Sequence, residues 1–411
     1  MPTPHTTLLP IAVPAPPYSR LPPSRALEGS VAALYVHVPF CSVKCHYCDF
    51  YSLAGHLQQA PEFLQALRTQ ASLEVAHLGR PAPETIFIGG GTPTLLAPGD
   101  LTKLLAILHE RADLAGLREF TVEANPNTFD DARAQVLAAA GVNRISFGAQ
   151  SFQGAELLTL QRDHDPAHVP AAMETARRAG IHNINLDLIF GIPGQTMATL
   201  ADNLHQALQC QPDHISCYNL MYEPNTPLTA RLKRGEFSPC DESVELDMFQ
   251  RIRDTLGAAG LEQYEISNFA RPGKTCRHNL HYWSGGNALA WGPSAAAHHS
   301  GYRWAGVRNL THYLQALRRE VLPVVEMEHL SGPRRWGELA MLMLRTTAGI
   351  DRAAFADRTG LDAGEILQPL TARYGAIELL NITPTHVRLT QHAWPLSDTV
   401  FADVLEMFAK V

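Results

Sequence analysis

The chain has 411 residues, 45% of them apolar, with 33 basic against 40 acidic side chains and a formal net charge of −7. That length exceeds what one hydrophobic core usually organises, and the interspersed, slightly acidic charge disfavours a nucleic-acid partner. No run of about 18 apolar residues is present, which excludes a membrane-spanning helix as the sequence reading.

Residues 1–30 open with "MPTPHTTLLPIAVPAPPYSRLPPSR", which carries no basic leader and breaks its apolar run with proline. It reads as a disordered, proline-rich segment and not as a secretory signal. Seven cysteines are an odd number, and three crowd into eight positions, so a reducing, cytoplasmic setting is expected. Cys210, Cys217, Cys240 and Cys276 have no ligand spacing and read as small buried hydrophobes.

From residue 31 to 265 short β-rich runs alternate with helical patterns, the signature of an α/β fold with repeated βα units. Six strands are predicted at "ALYVHV", "TIFIGGG", "EFTVEAN", "RISFGAQS", "NINLDLIFG" and "HISCYNL", with "QYEISNF" as a seventh. "DPAHVPAAMETARRAG" predicts a helix capped by Asp165, with Pro166 in its first turn and Gly180 ending it. Unusual residues follow nearly every strand, which favours a partial or complete (β/α) barrel over a doubly wound sheet.

Residues 266–325 carry "CRHNLHYWSGGNALAWGPSAAAHHSGYRWAG" without clean periodicity and read as a connecting loop or small irregular sheet. Over 326–411, three helical patterns and the strand-like "HVRLT" predict a small winged-helix-like unit. Its recognition-helix candidate carries little positive charge, so a docking or structural role is expected instead of DNA binding.

The first strand runs directly into "CSVKCHYC". Cys41, Cys45 and Cys48 could form part of a zinc site with a histidine from elsewhere, although His46, adjacent to Cys45, is badly placed to join them. Alternatively, three thiolates could hold a [4Fe–4S] cluster and leave one iron open for a small ligand. The loop's position at a barrel mouth favours the second reading. "IFIGGGTPTLL" adds glycines whose backbone a ligand can approach closely, and it matches neither a Walker loop nor a dinucleotide fingerprint.

The C-x₃-C-x₂-C spacing resembles the signature of the radical S-adenosylmethionine (SAM) superfamily, and the resemblance continues over residues 33 to 405. It implies a cluster on Cys41, Cys45 and Cys48 whose open iron is chelated by SAM, with reductive cleavage to methionine and a 5′-deoxyadenosyl radical. Tyr35, Gly90, Gly91, Thr92, Glu123, Gln150, Arg162 and Asp187 match the SAM-contacting positions of the coproporphyrinogen dehydrogenase and HemW branch. The match implies Glu123 and Arg162 at the methionine end of SAM and Gln150 and Asp187 at its ribose.

Within that branch the sequence is similar to the HemW heme chaperones in two respects. Phe50 stands where the dehydrogenase pattern has a fourth cysteine, and "HNLHYW" matches an H-N-x-x-Y-W motif linked to heme binding. His278 is the implied axial ligand, with Tyr282 and Trp283 as flat apolar contacts. The expectation is therefore a heme chaperone without coproporphyrinogen dehydrogenase activity; the alternative is oxygen-independent coproporphyrinogen III dehydrogenase. The resemblance also implies heme as cargo and recipient hemoproteins that include membrane-associated respiratory enzymes. A homodimer and peripheral attachment of a cytoplasmic protein to the membrane are compatible with it.

Overall fold

A computed structural model describes residues 17–374 and 377–410. Six parallel strands lie side by side in chain order: β1 (Ala33–Val38), β2 (Thr85–Gly90), β3 (Glu119–Ala124), β4 (Arg144–Gln150), β5 (Asn183–Phe190) and β6 (His214–Asn219). Their alternation builds the wall of a partial barrel. Leu34, Val36, Ile86, Ile88, Phe120, Val122, Ile145 and Phe147 turn outward into one core with the surrounding helices. Residues at the intervening positions, among them Phe87, Glu123, Ser146, Asn185 and Asp187, line the concave interior.

The sheet does not close. Beyond β6 it gains the short antiparallel strands Asn268–Ala270 and Glu262–Gln263. Beyond β1 it gains Ala288–Trp291, parallel to β1, then Ala296–His299, Tyr302–Gly306 and Val324–His329 as an antiparallel extension. The predicted seventh strand "QYEISNF" is thus a two-stranded turn instead of a βα unit, because a bend at 264–267 reverses the chain. The helix expected after Asp165 starts at His168, two residues past Pro166. The Asp165 carboxylate accepts the Ala167 N–H, and Gly180 takes the left-handed φ of +89° that ends the helix.

Of the two readings of 266–325, connecting loop or small irregular sheet, the structure has the sheet, with helices added. The region supplies the sheet extension, a helix at Leu310–Arg318, and a seven-residue helix, Arg277–Trp283, that contains the whole "HNLHYW" motif. The disorder expected for 1–30 differs from the structure where residues are described. From 17 onward Ser19 N–H donates to Val324 O, and His77 bonds Pro22 O, so the segment lies against the body. The remainder of that expectation, 1–16, falls outside the described residues.

The C-terminal unit has its own core, made by helices Gly332–Leu344, Arg352–Thr359 and Ala363–Arg373 with a three-stranded sheet that includes His386–Leu389. A further helix, Ser397–Phe408, packs along the first of these and was not anticipated. Val400, Phe401, Val404 and Phe408 recur at helical spacing and are buried, so its signal was present. Among the described residues no helix is long and apolar enough to cross a membrane.

Candidate active site at the barrel mouth

The loop after β1 leaves the sheet at Cys41 and returns at Leu53, where Phe40–Cys41 pairs with Leu53–Ala54. It is fastened at several points. Asp163 accepts hydrogen bonds from Ser42 Oγ (2.5 Å) and Asn125 Nδ2 (3.0 Å), and Lys44 Nζ reaches Ser52 Oγ at 2.9 Å. Burial pushes the Asp163 carboxyl up, but bonds from Ser42, Asn125 and Asn127 outweigh it and hold the group below its ordinary range.

Cys41, Cys45 and Cys48 are free thiols of intermediate exposure at the head of one cavity of about 440 Å³. Each sulfur has a donor beside it at long distance. Thr92 Oγ1 lies 3.7 Å from Cys41, Arg162 Nη1 3.6 Å from Cys45, and Lys44 Nζ 4.0 Å from Cys48. His46 is held away on the Leu160 and Leu228 backbone, with Arg231 at 3.3 Å from its Nδ1. Among the described residues no three cysteine, histidine or acidic side chains converge on a single-ion site.

The glycine turn is required by geometry. Gly90 has φ +106°, and a Cβ there would sit 2.5 Å from the His37 ring, while one on Gly91 would meet Phe40 O at 2.5 Å. Gly90 N–H donates to Glu123 Oε2 at 3.1 Å. Glu123 is buried, and burial, reinforced by nearby Asp187, pushes its carboxyl up to about 8. Gln150 ends β4 at φ +63°, a left-handed conformation unusual outside glycine, where the sheet register shifts.

Of the implied SAM set, Gly90, Gly91, Thr92, Glu123, Gln150, Arg162 and Asp187 all line the cavity with the three thiols. Tyr35 lies behind Gly90 in an adjoining hollow of about 410 Å³, its hydroxyl 3.0 Å from His37 Nδ1. Asp187 sits in mid-strand instead of at a strand end, accepting Asn185 Nδ2 (2.8 Å) and Ser146 Oγ (3.1 Å). The donor set fits an iron–sulfur cubane with an amino-acid nucleoside beside it: three soft ligands, a glycine backbone without room for side chains, and buried polar groups around one void.

The "HNLHYW" motif reaches these hollows only through Asn279 and Tyr282. Its helix seals the opposite, N-terminal end of the barrel, its first N–H groups donating to Glu119 at the start of β3 (2.8 and 3.0 Å). His278 is 2% exposed, bonded to Thr85 Oγ1 at 2.9 Å and packed on Phe87 and Tyr282. Burial lowers its imidazole to about 3, and its Nε2 has no partner among the described residues. Trp283 lies under the Arg345 guanidinium at 4.5 Å, while Arg358 of the C-terminal unit takes Ser284 O at 2.7 Å. The motif is therefore a helix packed at the barrel floor, where the sequence suggested a loop or small irregular sheet. The competing histidines are engaged as well: His281 with Asn287 O, His298 with Gly286 O, and His299 with Ser300 Oγ.

Sequence reading missed Arg144, Asn185 and Asn279, which line the same cavity from its lower end. Arg144, Ser146, Gly148 and Gln150 occupy alternate positions of one strand, so the period-2 rule applied backward from Gln150 points to Arg144.

Comparison with known proteins agrees with this architecture. The family model for the radical SAM superfamily matches residues 35–207, and that for the HemN C-terminal domain matches 330–396. A curated relative from Bacillus subtilis (strain 168), named heme chaperone HemW, is 34% identical over 372 residues, covering 90% of this chain and 98% of its own. The chain belongs to the HemW family of the radical SAM superfamily. HemW proteins of Mycobacterium tuberculosis (strain H37Rv; 37% identical, 81% of this chain and 86% of the relative) and Escherichia coli (strain K12; 39%, 64% and 69%) are also similar. The solved structure of E. coli coproporphyrinogen III oxidase (HemN) superposes with a TM-score of 0.79 at 22% identity, covering 94% of this chain and 92% of that one. At that identity the likeness establishes the shared fold alone, including the C-terminal helical unit.

Proposed function

We propose that this HemW-family protein is a heme chaperone that holds a [4Fe–4S] cluster on Cys41, Cys45 and Cys48, binds SAM beside it, and passes heme to hemoproteins of the respiratory chain. The observation that carries the reading is the kinship to relatives named heme chaperones along nearly their full length. Phe50 at the place of a fourth cysteine supports it over the dehydrogenase alternative, and that side chain is 69% exposed at the cavity rim. A bound cluster would supply one-electron reduction of SAM. The protein's own contribution is to present three thiolates, offer Glu123 to the SAM ammonium, and shield the void with Tyr47 and Tyr218.

Heme uptake by His278 requires the motif helix to leave the barrel floor, because the ring is enclosed by Thr85, Phe87 and Tyr282. A second receiving surface is favoured by exposure: Val43, Phe50, Tyr218 and Met221 present apolar area around the cavity mouth. The deciding measurement is the absorption spectrum of anaerobically reconstituted protein before and after heme addition. A Soret band lost in His278→Ala and kept in Met221→Ala supports the motif helix, and the converse supports the rim. No heme band in the wild type, together with turnover of coproporphyrinogen III, would favour the dehydrogenase.

A further inference from the structure

The lower half of the cavity is walled by polar groups that have satisfied one another. Asn185 Nδ2 donates to Ser146 Oγ (2.7 Å) and Asp187, while its Oδ1 accepts from His214 Nδ1 (2.6 Å) and Ser216 Oγ (3.2 Å). His214 Nε2 in turn accepts the Tyr264 hydroxyl at 2.9 Å. Both Glu119 oxygens are occupied by the N–H groups that start the motif helix. Little hydrogen-bonding capacity is left for anything else.

Two side chains stand outside this network. Arg144, the first residue of β4, is 2% exposed and makes no hydrogen bond or ion pair among the described residues, with Nε fully buried and unpaired. Asn279, on the motif helix, lines the same void, and its carboxamide also has no bond among the described residues. A buried cation without a hydrogen-bonded acceptor is costly, and polar groups left so in a cavity point to a missing ligand. Glu119 and Asp187 lie close enough to keep the guanidinium charged, yet neither bonds it.

We infer that Arg144 and Asn279 form the anchor of a ligand subsite at the barrel floor, which takes the carboxylate of a small organic monoacid. The guanidinium fork matches a carboxylate bidentately, and the Asn279 amide can donate to either oxygen. Glu119 and Asp187 nearby disfavour a doubly charged phosphate. The ligand is distinct from heme: β4 rises about 3.3 Å per residue, so Arg144 lies too deep for a propionate reaching in from a macrocycle at the rim. The rest of the acid would extend up the void past Phe87 and Ile189 toward the thiol end.

The test is calorimetric titration of the anaerobically reconstituted full chain with propionate, pentanoate and inorganic phosphate. Saturable binding of the carboxylates is expected, weakened about tenfold or more by Arg144→Met and severalfold by Asn279→Ala, with phosphate at least about tenfold weaker. If the Arg144 variant does not fold, the wild type still decides: pentanoate should slow methylglyoxal labelling of Arg144, followed by peptide mass spectrometry. Labelling unchanged by pentanoate, carboxylate binding indifferent to Asn279→Ala, or phosphate binding as tight as propionate would overturn the assignment. Because none of these readouts involves heme, failure here leaves the chaperone reading standing, and the reverse also holds.

Discussion

The mouth and the floor of this barrel each carry a motif that reads in sequence as a ligand set, and the fold treats them oppositely. At the mouth, Cys41, Cys45 and Cys48 are half-exposed on a loop, their sulfurs touched only by long, weak donors. At the floor, His278 is enclosed by aromatic rings and bonded to a strand, and the start of its helix is held by a carboxylate 159 positions away in sequence. Donor chemistry alone therefore does not say whether a ligand set stands open in this fold; depth and prior engagement do.

The sharpest test of the contrast is to damage each end. Replacing any one of the three mouth cysteines by serine should remove most of the iron taken up on anaerobic reconstitution while leaving the melting of the iron-free chain within about 0.5 kcal/mol, since half-exposed thiols contribute little packing. His278→Ala should do the reverse, keeping iron but costing about 2–4 kcal/mol through a lost buried hydrogen bond and the cavity left among Phe87 and Tyr282. Iron analysis and denaturant melts on the same samples check both arms, and iron loss in His278→Ala would erase the distinction.

Acid should act through buried rings and not through the thiols. His37 and His164 are lowered to about 4 and His278 to about 3, each chiefly by burial. Unfolded histidine takes its proton near pH 6.5, so below that value the unfolded chain binds more protons than the folded one. Each ring's contribution is full above pH 6.5 and declines as pH falls toward 3, by up to about 1.4 kcal/mol per pH unit. The buried carboxyls of Glu74 and Glu123, raised to about 7 and about 8, work the other way at the neutral end of that range. Melts across pH 7 to 4 should show this slope, reduced in His37→Gln. A wild-type profile that runs parallel to that of His37→Gln would mean that this ring is solvated.

The mouth was legible before the structure because its information is local: a strand, three cysteines and a glycine turn follow one another, and each following strand declares its inward face by alternation. The floor was not, because nothing in "CRHNLHYW" announces that Glu119 caps it or that Arg335, Arg345 and Arg358 of the C-terminal unit gather at its end. The individual strands of the sheet extension escaped for a related reason. Its strands, such as Ala288–Trp291 and Ala296–His299, are four residues long and rich in alanine, so partners across the sheet define them more than pattern does. Asp187 was recognised by type but misplaced in height, since strand ends cannot be read to better than a few residues.

The smallest effect expected is a proton coupled to SAM at Glu123, which links the mouth to the groups beneath it. Burial and Asp187 raise this carboxyl to about 8, against which the Gly90 N–H bond and Arg144 work only partly, so it is neutral at pH 7. An ammonium group placed against it would favour the ionised form, and the proton must then leave on binding. SAM affinity should accordingly rise with pH up to about 8, by at most about tenfold per unit, and level off above. In Glu123→Gln the dependence should vanish, because the amide keeps the shape and the bond from Gly90 while losing the titration. Titrations at pH 6, 7 and 8 in two buffers of different ionisation enthalpy would count the proton released. Equal release in wild type and variant would move the ammonium away from Glu123, and with it the division of the SAM set between the methionine end and the ribose.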